Sequence, residues 1–196
     1  MGCIIPGLGI RIKITLERVK FTYYYILDYL KPNEIKKINS SFKNKSKDFK
    51  HQASTVKTSK ALHMPYEELR KTKDVNYNIL DINRVAYGFD LYENLNDWVV
   101  QNTYKSSNQG EYKWHMDAED YDKKYTVKLT TLINLSEKKY SGGKLFIFDK
   151  HPTEVKELNK PGSLVVFPSF ILHQVTPVTK GTRITATIFK TGRWWK

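Results

Sequence analysis

The sequence predicts a mainly β fold, a double-sheet jelly roll supported by helices from its N-terminal part. Three observations predict it. From Trp98 onward, short runs rich in β-branched and aromatic residues recur at 98–104, 112–117, 126–135, 144–148, 155–158, 163–167, 173–178 and 183–189, the spacing of a sandwich or barrel. Turn chemistry separates them: Ser141-Gly142-Gly143, Lys160-Pro161-Gly162 and Lys180-Gly181 supply the positive φ angles and the fixed φ that tight connections require. Helical signals are confined to the preceding region, so the helices pack on the sheets rather than alternate with the strands.

Those helices are read from their starts. Pro32-Asn33-Glu34 opens a helix over 32–40, with Pro32 suited to a first helical turn, and shorter helices are expected at 66–71 and 75–83. An aromatic and β-branched run at 21–30 reads as a strand before them. The stretch 41–60 is rich in lysine and poor in large apolar residues, which predicts a surface connection. Residues 1–19 show only the alternation of Ile10, Ile12 and Ile14 against Arg11 and Lys13, an edge strand or an unstructured leader. A chain of 196 residues suits one ordinary domain, so the expectation is an extension at 1–19 followed by a single domain at 20–196.

Composition narrows the function classes. The net charge of +13 raises the question of nucleic acid, and much of the excess lies in Lys43, Lys45, Lys47, Lys50, Lys57 and Lys60, relieved only by Asp48. Lysine outnumbers arginine and Asn, Ile and Tyr abound, a bias that AT-rich coding produces unaided. A solvated face is therefore the plain reading of 43–60, with a nucleic-acid partner as the alternative. No run approaches the roughly 20 apolar residues of a membrane span, because Arg11, Lys13, Glu17 and Arg18 interrupt the N-terminal apolar stretch. Pro6 stands where a myristoylation signal wants Ser or Thr. With Cys3 the sole cysteine, no intrachain disulfide can form, and a reducing, cytoplasmic setting is expected.

The chemistry converges on four residues. His115 and Asp117 are one residue apart in an expected strand, so both side chains should leave the same face, with Trp114 and Met116 packing on the other. His173 follows the apolar run ending at Phe167-Pro168, and Arg183 opens the last strand ten residues later. Two imidazoles and one carboxylate that leave three positions open form the facial triad suited to non-haem iron(II), whereas a structural zinc site is closed by four ligands, commonly thiolates. Arg183 carries a planar fork that grips a carboxylate through two parallel hydrogen bonds. Thr185 and Thr187 share its face if the strand is regular, and either hydroxyl could complete that grip, although threonine is also an ordinary strand former. His151, before Pro152, reads as a solvent-facing turn residue, while His51 and His63 have no carboxylate at ligand spacing. A Gly-x-Ser-x-Gly elbow for nucleophilic hydrolysis is absent.

From about 98 to 195 the ordered motifs carry a resemblance. They are Gln101-x-x-Tyr104, Tyr112-x-Trp114-His115-x-Asp117, Leu129-Thr130-x-Leu132-x-x-Leu135-Ser136 and Tyr140-Ser141-Gly142-Gly143-x-Leu145. Gly162-x-Leu164-x-x-Phe167-Pro168, His173-x-Val175-x-Pro177-Val178, Gly181-x-Arg183 and Gly192 follow. In this series the chain resembles the iron(II)/2-oxoglutarate-dependent oxygenase family, in its prolyl/lysyl-hydroxylase-like branch. Tyr25 to Leu30 followed by Pro32-Asn33-Glu34 is similar to the family's opening strand and helix. The resemblance implies a double-stranded β-helix, with His115, Asp117 and His173 as iron ligands and Arg183 anchoring 2-oxoglutarate. Tyr104 would add a phenolic hydrogen bond, and Thr187 is a further candidate contact to the co-substrate. Dioxygen would be consumed, ascorbate is a candidate reductant, and the implied substrate is a prolyl or lysyl side chain of a protein or peptide. Two alternatives stay open, a nucleic-acid-modifying oxygenase and a non-catalytic jelly-roll binder that retains its metal. Lys128 stands where many relatives have arginine and the loop 118–124 is unusually charged, which leaves the primary substrate open.

Overall fold

A computed structural model describes residues 22–48, 57–92, 98–118, 120–121 and 124–194. The expected extension at 1–19, Lys50 and Glu119 lie outside the described residues. In chain order the elements are β1 (Tyr24–Ile26), α1 (Pro32–Lys45), β2 (Lys47–Asp48), β3 (Lys60–Pro65), α2 (Tyr66–Arg70) and α3 (Asn76–Ile82). A π-helical turn (Asn83–Tyr87) continues α3. Then come β4 (Trp98–Lys105), β5 (Tyr112–His115), β6 (Asp120–Tyr121), β7 (Tyr125–Asn134), β8 (Ser141–Gly142), β9 (Leu145–Asp149) and β10 (His151–Glu154). The last four are β11 (Leu164–Pro168), β12 (His173–Val175), β13 (Val178–Lys180) and β14 (Thr182–Arg193).

Two antiparallel sheets dominate. The larger runs β1-β11-β7-β14-β4-β3-β2, with β6 beside β7, and the smaller runs β10-β9-β12-β5. Alternation along the strands of the larger sheet decides which layer each side chain joins. Leu164 and Val166 on β11, Leu129 and Ile133 on β7 and Ala186 and Ile188 on β14 pack with Ile35, Ile38 and Phe42 of α1 and with Leu69 and Ile79 of the other helices. Their neighbours on the opposite face, Val165, Phe167, Leu132 and Tyr104, meet Leu145, Ile147 and Val175 of the smaller sheet. The helices thus cover one face of the larger sheet, and the two sheets enclose a second core between them, the jelly roll that the strand pattern predicts.

Several elements differ from the sequence reading, each for a local reason. Helix α1 begins at Pro32 as expected, and the Glu34 carboxylate accepts a hydrogen bond from the backbone N–H of Lys31 at 2.7 Å, which satisfies one open donor of the first turn. It runs on to Lys45 because Phe42 falls on the same face as Ile35 and Ile38 and is fully buried. Lys43 and Lys45 are exposed in its last turn, where cations meet the negative end of the helix dipole, so their presence follows from the helix itself. Strand β1 is only three residues long, not the run 21–30. Residues 155–158 do not form a strand: a 3-10 turn occupies Lys156–Asn159, and the strand lies before it at His151–Glu154. The run 173–178 is split between β12 and β13 around Pro177, which has no N–H to give a ladder. The connection 41–60 is likewise structured at both ends, by α1 and β2 on one side and β3 on the other.

A candidate metal and co-substrate site

Strands β5 and β12 are neighbours in the smaller sheet, and their register sets His173 opposite His115. The ring centroids are 4.1 Å apart. Each ring is fixed by the carbonyl two residues before it: His115 Nδ1 lies 2.7 Å from the Lys113 oxygen and His173 Nδ1 lies 2.8 Å from the Ile171 oxygen. A carbonyl only accepts, so each Nδ1 donates, and Nε2 is left as the atom that faces the site. Asp117 comes from beyond the end of β5, not from within the strand. Its backbone N–H donates to the Ser169 carbonyl at 2.9 Å, and this tie turns the carboxylate back toward the two rings.

The three side chains therefore meet, with their ligand atoms all within 4.8 Å of one another. Nε2 of His115 is 3.5 Å from one Asp117 oxygen and Nε2 of His173 is 3.3 Å from the other. Lone pairs on two imidazoles would repel an anion at that range unless a proton or a cation lay between them. Burial opposes ionisation of Asp117, but hydrogen bonding and charge from His115 and His173 outweigh it and hold the carboxyl well below the usual range. These residues fit a divalent ion bound by two neutral imidazoles and one carboxylate.

Thr130 on β7 donates to the Asp117 carboxylate at 2.8 Å and orients it. Thr130→Val should keep the shape of the side chain and remove that hydrogen bond. The expected result is a roughly 10- to 100-fold loss of metal affinity, the usual cost of deleting a group that orients a ligand, at near-unchanged melting temperature. Equal iron(II) affinity in an anaerobic titration would refute that role.

Arg183 lines the same cavity, which has a volume of about 500 Å³. On β14 it pairs in register with Tyr104 of β4, and its guanidinium carbon lies 5.2 Å from the Tyr104 ring centroid. Only 2% of Arg183 is exposed, and Nη1 is buried with no hydrogen-bond partner. No carboxylate pairs with it among the described residues. A buried cation left so is costly, and the bidentate fork can be satisfied by an incoming carboxylate. Burial raises the pKa of the Tyr104 phenol, against the opposing influence of Arg183, so the hydroxyl stays a neutral donor near neutral pH. This pair fits the far carboxylate of 2-oxoglutarate, as the triad fits its metal.

The arginine stem passes over Gly143. A Cβ built there would stand 2.8 Å from Arg183 Cδ and 2.9 Å from Val178 Cγ2, and φ is +60°. Gly143→Ala is expected to displace the guanidinium and weaken 2-oxoglutarate binding roughly tenfold, about 1.4 kcal/mol. Calorimetric titration of 2-oxoglutarate checks this, and an unchanged affinity would refute the packing argument.

All four residues singled out in the sequence thus line one cavity. Thr185 and Thr187 line it too, both buried, and Thr187 accepts a hydrogen bond from Asn102 at 3.1 Å. Met116 does not pack as expected and is exposed, while Trp114 sets its edge against Phe148. His63 has no carboxylate at ligand spacing in the sequence, yet β3 brings it into the cavity wall, since it pairs with Val100 and Val100 pairs with Thr187. The sequence reading also missed Thr130, Asn102 and Lys57. Thr130 and Asn102 could have been found by extending the in-out alternation of β7 and β4, but Lys57 lies in a segment with no period to extend. Lys128 is buried on β7 and does not line the cavity.

Comparison with known proteins agrees with this geometry. Residues 100–190 match the family model of the 2OG-Fe(II) oxygenase superfamily. A PKHD-type hydroxylase of an Azoarcus species is 50% identical over 50 residues, 26% of this chain and 22% of the relative. Another PKHD-type hydroxylase, from Shewanella oneidensis, is 48% identical over 59 residues, 30% of this chain and 26% of the relative. The matched segments therefore span about a quarter of these relatives. Among solved structures, a Pseudomonas putida prolyl-4-hydroxylase superposes with a TM-score of 0.67 at 17% identity, covering 89% of this chain and 94% of that one. The viral collagen prolyl hydroxylase of Paramecium Bursaria Chlorella virus-1 gives 0.62 at 20% identity, covering 87% and 96%. Fold and matched segment agree: residues 100–190 are similar to the 2OG-Fe(II) oxygenase superfamily, and the fold is shared with these prolyl hydroxylases.

Proposed function

We propose that the chain is an iron(II)- and 2-oxoglutarate-dependent dioxygenase that hydroxylates a prolyl or lysyl side chain of a protein or peptide. The observation that carries this is one cavity lined both by two convergent imidazole Nε2 atoms with a carboxylate and by a buried guanidinium with an unpaired nitrogen. Iron(II), 2-oxoglutarate and dioxygen together supply an oxidation that yields succinate, carbon dioxide and a hydroxylated product. The chain's own part is geometric and electrostatic. His115 and His173 present fixed Nε2 atoms, Asp117 supplies the anionic ligand and Thr130 holds it in place. Arg183 and Tyr104 grip the far carboxylate of 2-oxoglutarate, and apolar side chains such as Leu132, Leu145 and Val175 keep water from the space between.

The protein substrate is favoured by the relatives. Those matched in sequence are PKHD-type hydroxylases, and a similarly folded Trichoplax adhaerens prolyl hydroxylase is seen in complex with a peptide fragment of hypoxia inducible factor. Ascorbate would serve as reductant between turnovers. The test is to supply iron(II), 2-oxoglutarate and dioxygen with prolyl and lysyl peptides, and to measure succinate together with a gain of one oxygen in peptide mass. Succinate should form in proportion to product and only with iron(II). Turnover that persists without iron(II), or product without succinate, would refute the proposal.

A further inference from the structure

Lys57 lines the cavity from outside the motif series of residues 98–195. Its backbone bridges to Tyr112, and Thr58 fastens the segment further, its N–H donating to the Glu111 carbonyl at 2.9 Å. The Lys57 ammonium sits 4.8 Å from the Tyr112 ring centroid, and that ring stacks on His115 at 3.4 Å between centroids and 15° between planes. The cation is therefore one aromatic ring away from the triad.

Around it, counter-charge is short. Asp117 is the only carboxylate among the described residues that line the cavity, and no carboxylate pairs with Lys57 among the described residues. Resting on the dioxygenase reading above, the loaded site is already neutral without Lys57: the charges of iron(II) and Arg183 are matched by the two carboxylates of 2-oxoglutarate and that of Asp117. Burial lowers the Lys57 pKa and the Asp117 charge partly restores it. A largely buried ammonium with a ring face and only the charge of Asp117 acting on it, with no carboxylate in contact, is stabilised less than one paired directly.

We infer that Lys57 is a specificity-determining residue, which pairs with a carboxylate that the primary substrate carries close to the carbon to be hydroxylated. Two sources share that chemistry, a Glu or Asp side chain beside the target residue of an acidic peptide and the free carboxylate of a small acid. A substrate with an amide in that place would strand the ammonium, and this is how a buried polar group rejects an analogue.

The test uses the full chain with iron(II) and 2-oxoglutarate under anaerobic conditions, and reads the visible charge-transfer band of that complex as probes are added. The probes are a proline peptide flanked by Glu, its Gln counterpart, N-acetylproline and N-acetylprolinamide. At least one acid should bind roughly tenfold or more tightly than its amide partner, the size expected of one charge-assisted hydrogen bond. The pair that discriminates identifies the source. Lys57→Met should erase the preference and Lys57→Arg should keep it, with 2-oxoglutarate affinity within about twofold of the parent chain in both. Equal affinity within every pair, no binding of any probe, or a loss of 2-oxoglutarate affinity in Lys57→Met would overturn the inference. Failure of the band to form in the unaltered chain would sink the dioxygenase reading and this inference with it, whereas a band without acid preference sinks this inference alone.

Discussion

Asp117→Ala is expected to lower iron(II) affinity by roughly 30-fold to several-thousand-fold and to end succinate formation, while the fold survives. The magnitude follows from removing the one anion at the triad, since truncating a buried charge beside a cation costs about 2 to 5 kcal/mol. Survival of the fold follows from position. Asp117 lies beyond the end of β5, where its backbone tie to Ser169 does not depend on the side chain. His115→Ala and His173→Ala should have the same direction of effect. His173 also packs edge-on against Phe167, with 4.8 Å between ring centroids, so its loss should cost stability as well. Anaerobic iron(II) titration alongside circular dichroism separates these outcomes. Native iron affinity in a folded Asp117→Ala protein would remove the carboxylate from the site.

Arg183→Met should act in opposite senses on the two states of the protein. The thioether side chain keeps much of the arginine stem's packing over Gly143 and discards a charge that has no carboxylate partner. The protein without co-substrate is therefore expected to melt at an unchanged or higher temperature, by up to a few degrees for a gain of about 1 kcal/mol. The stabilisation that 2-oxoglutarate is expected to confer on the parent chain, about 2.7 kcal/mol at a hundredfold excess over its dissociation constant, should disappear. A destabilised ligand-free protein would show that contacts such as that with the Tyr104 ring outweigh the cost of the buried charge, and a retained 2-oxoglutarate shift would show that the carboxylate binds elsewhere.

Much of the fold was legible because alternation is strict where both faces of a strand are buried. On β11, Leu164 and Val166 go to the helices and Val165 and Phe167 to the inter-sheet core, and the run reads as a strand from either side. Isolated apolar pairs were less informative. Val155 and Leu158 suggested a strand, but both are buried across a 3-10 turn, where side chains three apart fall on one side. The triad was legible in its residues and only partly in its reason. His115 and Asp117 do converge, yet by a backbone turn pinned to Ser169 and not by strand alternation. Lys57 and His63 were not legible at all, because each reaches the cavity through pairing with residues far along the chain, Tyr112 for one and Val100 for the other. Local pattern carries no record of such partners.

The account stands on one ion held between β5 and β12 with a guanidinium beyond it. The most direct measurement is a crystal of the chain grown with manganese(II) and 2-oxoglutarate, examined by anomalous scattering. One strong peak should lie about 2.0 to 2.3 Å from Nε2 of His115, Nε2 of His173 and an Asp117 oxygen, the range of divalent metal–ligand bonds, with the far carboxylate of 2-oxoglutarate on Arg183. A peak away from these three atoms, or a co-substrate carboxylate turned from Arg183, would contradict it.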